Sequence, residues 1–166
     1  MTVEKRTNDT GNSVHASDQA LDQRILDRCA ALGLTLPKAM QLAVASDSKD
    51  PYSLLRLLDL DFSTYEPIRR RHPKRWVWMA AQTSSVSYRG TLTEEALLTI
   101  LAGGVVPPAF DAHIGSLLDE APISIVLLAI EETSRVTGQP IDAIWRIVGE
   151  LAQRYCSARR SLWTNE

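Results

Sequence analysis

Between Pro122 and Gly138 the chain reads ISIVLLAIEETSRVT, and its first eight residues are apolar on nearly every side of a helix. A surface helix shows one apolar stripe; one that is apolar all round has to run through a body that covers it. Proline suits the start of such a helix and glycine its end, so this segment is bounded by its own punctuation. It predicts a central helix with other helices packed around it.

The flanking segments supply those helices. Leu21, Ile25, Leu26, Cys29 and Leu32 recur at helical spacing after Ser17 or Asp18, and Gly33 stands at the closing position. Leu34-Thr35-Leu36-Pro37 opens a short helix with Met40 and Val44 on one side, and Asp50-Pro51 starts another carrying Leu54, Leu55, Leu57 and Leu58. Thr93 can cap a helix at Glu94, with Leu92 and Leu97 at the two positions of a hydrophobic staple and Gly103-Gly104 at its end. Pro107-Pro108 begins a helix with Phe110, Ile114, Leu117 and Leu118 on one face. After Pro140 the stripe Ile141, Ile144, Trp145, Val148, Leu151, Ala152 and Tyr155 opposes Arg146, Glu150, Gln153 and Arg154. The expectation is an all-α fold: a single compact multi-helix domain of about seven helices. Residues 76–92 can start a helix or form a short irregular or β-like segment. Residues 1–16 read as a flexible N-terminal tail, 17–160 as the helical domain and 161–166 as a C-terminal tail, with SARRSLWTNE frayed.

The chain has 166 residues, 45% of them hydrophobic, which suits one domain with one core. A formal charge of −2 argues against a protein that coats nucleic acid over its whole surface, though not against a local basic patch. The first residues contain no apolar run of the kind a secretory signal needs, and Ile125–Ile130 is too short to span a bilayer. No membrane association and a cytoplasmic location are expected. Cys29 and Cys156 are far apart and lack a CxxC partner, which points to two buried, reduced thiols.

Catalytic constellations are not legible. Of three histidines, His15 lies in the N-terminal tail and His113 shares a helix with Asp111 at a spacing whose side chains point apart. No HExxH and no ligand set at zinc spacing occurs, so neither metal nor cofactor is expected. Gly103-Gly104 follows a helix and precedes two prolines, the wrong order for a phosphate loop. Glu131 and Glu132 diverge by about 100° on a helix and do not share a substrate atom. The helices around Gly103-Gly104 pack as an αα-hairpin, because the second carries no basic residue with which to read DNA.

One stretch is unusual for helix surface. EPIRRRHPKRWVWM, residues 66–79, puts five cations within seven positions, split by Pro73 and followed at once by two tryptophans. Arg69, Arg70, Arg71, Lys74, Arg75, Trp76 and Trp78 are of the types that dominate protein interfaces. On phosphates the same arginines would give salt-sensitive nucleic-acid binding. The plain alternative is a solvated helix end beside a core segment, with Trp76 or Trp78 buried. Arg146, Arg154, Arg159 and Arg160 form a possible second patch. The sequence therefore points to a non-enzymatic helical interaction protein, an adaptor, inhibitor or regulator, whose partner is a protein. The alternative is a nucleic-acid-binding regulator, and a third reading is a helical enzyme with a site near His113.

Overall fold

A computed structural model describes residues 19–46, 52–61, 75–85 and 90–165. The described residues form eight α-helices and no strand. These are α1 (Gln19–Leu32), α2 (Leu36–Ser46), α3 (Ser53–Leu57), α4 (Arg75–Ser85), α5 (Glu94–Leu101), α6 (Asp111–Asp119), α7 (Ile123–Thr137) and α8 (Ile141–Arg154). A single 3-10 turn, Pro108–Phe110, leads into α6.

The all-round apolar segment is α7, and every residue from Ile123 to Thr133 is buried. It packs most extensively against α4 and also against α8 and α5, while α2 packs on α3 and α8. The α8 stripe falls as its period dictates: Ile144, Trp145, Val148, Leu151 and Ala152 are inside, and Arg146, Glu150, Gln153 and Arg154 are outside. Burying each large apolar side chain is worth about 1.5–3 kcal/mol, and this one core draws such residues from every helix.

The punctuation does what its chemistry suggests. Thr93 accepts a hydrogen bond from the Ala96 N–H at 3.1 Å, and its staple partners Leu92 and Leu97 are both fully buried. Gly138 closes α7 at φ +75°, a left-handed conformation that glycine adopts without penalty.

Of the two alternatives for the segment after Arg75, residues 76–85 take the helical one, with Trp76, Val77, Ala80 and Ala81 lining one buried face of α4. Three expectations need correction. The end of the chain is not frayed: after α8 it turns back, and Trp163 is fully buried. The Trp163 indole N–H donates to the Leu118 carbonyl at 3.0 Å, and its ring stacks on Trp145 at 6.4 Å. Asp119 secures this return by accepting from the Ser157 hydroxyl and from the Ala158 N–H at 2.9 Å. Leu32 is exposed just before the Gly33 turn, outside the α1 stripe. Cys29 is buried, but Cys156 is exposed at φ +50°, past the end of α8. The N-terminal tail, the Asp50-Pro51 start signal and most of the basic stretch lie outside the described residues.

Because Trp163 fills space between α6 and α8, Trp163→Ala is expected to cost about 3–5 kcal/mol. Chemical denaturation of the two proteins checks this; a loss below about 1 kcal/mol would show that the C-terminal turn is not part of the fold's support.

Candidate functional site

Two places hold unusual polar chemistry. The first is inside the molecule, on α7. Glu131 and Glu132 are both 2% exposed, and their side chains leave the helix in different directions. The Glu131 Oε1 atom accepts from the Ser53 hydroxyl at 2.7 Å and the Leu54 N–H at 3.1 Å. Its Oε2 atom lies 3.7 Å from the Arg135 guanidinium. Glu132 accepts from the Trp76 N–H at 3.3 Å and the Val77 N–H at 3.2 Å. The two carboxylates thus cap the N-termini of α3 and α4. Those termini present donors with no intrahelical acceptor and a partial positive charge. Asp22 of α1 does the same for α7, accepting from the Ile123 N–H at 2.8 Å and the Ser124 N–H at 2.9 Å. Pro122 has no side chain able to make that cap.

Burial acts against these charges. It pushes Glu132 up to about 7, against the pull of the Val77 and Trp76 N–H groups and of Arg135, while the charge of Glu94 pushes the same way as burial. Asp22 is also raised, chiefly by burial. Arranged as helix caps, the Glu131 and Glu132 carboxylates organise the core rather than face a substrate.

The second place is at the surface. A cleft of about 410 Å³ runs between α2, α8 and the C-terminal turn, within the size range of ligand sites. The buried, stacked rings of Trp145 and Trp163 form its floor, and the Trp145 indole N–H is directed at the Met40 sulfur, 3.2 Å away. Asp142, Arg146 and Glu150 stand along one wall at successive turns of α8. None of the three forms an ion pair with any described residue. Gln41 of α2 and Gln153 of α8 add amide groups to the lining, and Asn165 accepts from the Thr35 hydroxyl at 2.6 Å.

The residues singled out from sequence are distributed differently. Trp76 is fully buried and packs edge-on to Tyr52 at 6.0 Å, so it is a core residue and not a surface anchor. Trp78 is half-buried, the separation expected of positions two apart on a helix. Arg69, Arg70, Arg71 and Lys74 lie outside the described residues, as does the side chain of Arg75. Of the possible second patch, Arg146, Arg154 and Arg160 are exposed and Arg159 is half-buried. Arg159 donates to the Ala121 carbonyl at 2.8 Å, Arg154 lies over the Tyr155 ring at 5.4 Å, and Arg146 belongs to the cleft. His113 is buried, with Nε2 2.9 Å from the Gly90 carbonyl and its ring edge-on to Phe110. Among the described residues no three His, Cys, Asp or Glu side chains converge as a metal site, and no single helix is long and apolar enough to cross a membrane.

From the sequence, Arg146 and Glu150 belong to the wet side of α8 and Arg146 also to the possible second patch, while nothing singles out Asp142. The missing information was that α2 and the C-terminal turn rise on either side of that face. Comparison with known proteins found no matching family model, no matching curated protein and no matching solved structure.

The Glu132 position gives a pH signature. The folded protein holds a proton there up to about pH 7, whereas the unfolded chain releases it near the ordinary glutamate value. Stability contributed at this site is therefore greatest in acid and falls as pH rises through that window, by roughly 3 kcal/mol at most. Glu132→Gln removes the titration and places an amide NH₂ where an acceptor stood. The variant should be less stable than wild type at pH 5, and the gap should narrow or reverse by pH 8. Denaturant midpoints at the two pH values measure this; a gap that widens with pH would contradict the assignment.

Proposed function

We propose that this protein is a non-enzymatic helical adaptor or regulator that binds a protein partner through the cleft between α2, α8 and the C-terminal turn. The observation that carries the reading is the row Asp142, Arg146 and Glu150, three charged side chains without ion-pair partners among the described residues, above a floor of stacked indoles. Charges at i and i+4 with alternating sign ordinarily pair along the helix, each pair giving a few tenths of a kcal/mol. Here they stand apart along a concave surface, where a partner can complete them. Electrostatic complementarity of this kind selects partners and sets register more than it adds affinity. The basic-aromatic stretch keeps a place in the proposal only through its arginines and Trp78, since Trp76 is committed to the core.

Gln153 lines the cleft and is exposed, so Gln153→Trp fills the cleft without touching the core. Affinity purification of wild type and Gln153→Trp from the native cell, with and without nuclease, tests the reading. A protein retained by wild type in both treatments is expected to be lost from the variant, with an unchanged melting temperature. An identical set of retained proteins would overturn the cleft as the contact, and a nuclease-sensitive set would replace the protein partner with nucleic acid.

A further inference from the structure

The chemistry of the cleft narrows what can enter it. Resting on the reading of the cleft as a contact site, we infer that its occupant is an extended peptide segment of the partner carrying basic, acidic and basic side chains at alternate positions. The order follows from the wall. Asp142, Arg146 and Glu150 present negative, positive and negative charge in that sequence along α8. A complementary segment presents the opposite signs in register.

The spacing selects the backbone. Successive charges on the wall are one turn apart, about 6 Å along the helix axis. Side chains at i and i+2 of an extended strand share one face and are separated by about 6.6 Å, nearly the same step. A partner helix would match the step at i and i+4, but it satisfies its own main-chain N–H and C=O groups internally and so makes no use of the amides in the lining.

An extended peptide also brings main-chain N–H and C=O groups that need partners once they leave water. Gln41 and Gln153, on facing walls, carry side-chain amides that each donate and accept, and neither is engaged with another described residue.

A second copy of this chain does not meet the requirement. Nowhere in the sequence do two basic residues four apart enclose an acidic one at the middle position. Two α8 faces in antiparallel contact centred on Arg146 would set Arg146 against its own copy and Asp142 against Glu150.

The test uses the full chain and peptides selected from a random 12-residue display library. Two synthetic probes follow: one with Lys-x-Glu-x-Lys order and one with Glu-x-Lys-x-Glu order on the same selected background. Binding is read by fluorescence polarisation at low and physiological salt. Wild type is expected to prefer the Lys-x-Glu-x-Lys probe by roughly tenfold, with the preference shrinking in salt. The variant Asp142→Lys/Arg146→Glu/Glu150→Lys should reverse the preference, and this rescue by the swapped probe guards against loss through misfolding. Indifference of wild type to the order of charges, or no reversal in the swapped variant, would overturn the inference. So would failure of the library to yield any binder. Peptides that are lost on Gln153→Trp yet ignore charge order would leave the cleft reading standing while ending this one. Peptides unaffected by Gln153→Trp would end both.

Discussion

Helix α7 carries an obligation that shapes the whole molecule: two neighbouring carboxylates, Glu131 and Glu132, are sealed inside the core and must be satisfied there. An ionised carboxylate away from water costs several kcal/mol unless it finds donors. These two find them at the starts of α3 and α4, whose first-turn N–H groups need acceptors equally. Each partner offsets part of the other's penalty; at Glu132 burial still outweighs the two N–H groups and holds the carboxyl up at about 7. Asp22 repeats the arrangement at the start of α7 itself, so the central helix both receives a cap and gives two. The links join residues 101 and 102 apart for Asp22, and 77 and 55 apart at the Leu54 and Val77 N–H groups. They fix where helices begin relative to α7, a matter that apolar packing alone leaves loose because the hydrophobic effect has no direction.

The surface cleft depends on the same frame through α8. That helix lies on α7 by its apolar stripe, which turns Asp142, Arg146 and Glu150 away from the core. The walls are completed by α2 and by the returning C-terminal turn, which Trp163 and Asp119 pin in place. Rigidity of the floor matters for recognition, since a preformed site loses less freedom on binding. Stacked indoles with both N–H groups directed at acceptors provide such a floor.

Much of the fold was legible from spacing and punctuation. The α8 stripe, the Thr93 cap with its staple, and the central placement of α7 follow from local periodicity and from side chains acting within a few residues of themselves. Trp76 and Trp78 illustrate the limit. Their separation on a helix was readable, but which of them would be buried depended on where Tyr52 and α7 stood. Glu131 and Glu132 were readable as divergent and unsuited to sharing a substrate. Their task as remote caps was not, since the donors belong to helices more than fifty residues away in sequence.

The sequence by itself determined that the chain is helical, where most helices start and stop, and which face of α8 is wet. These are local properties, set by backbone preference and by a period of 3.6 residues. Only the tertiary structure decided that a tail rich in polar residues would return and bury Trp163, that buried acids would become helix caps, and that part of a wet helix face would become the wall of a cleft. Each of these needs two segments distant in the chain to meet. Such meetings are governed by packing and by the pairing of polar groups removed from water, which no local pattern encodes.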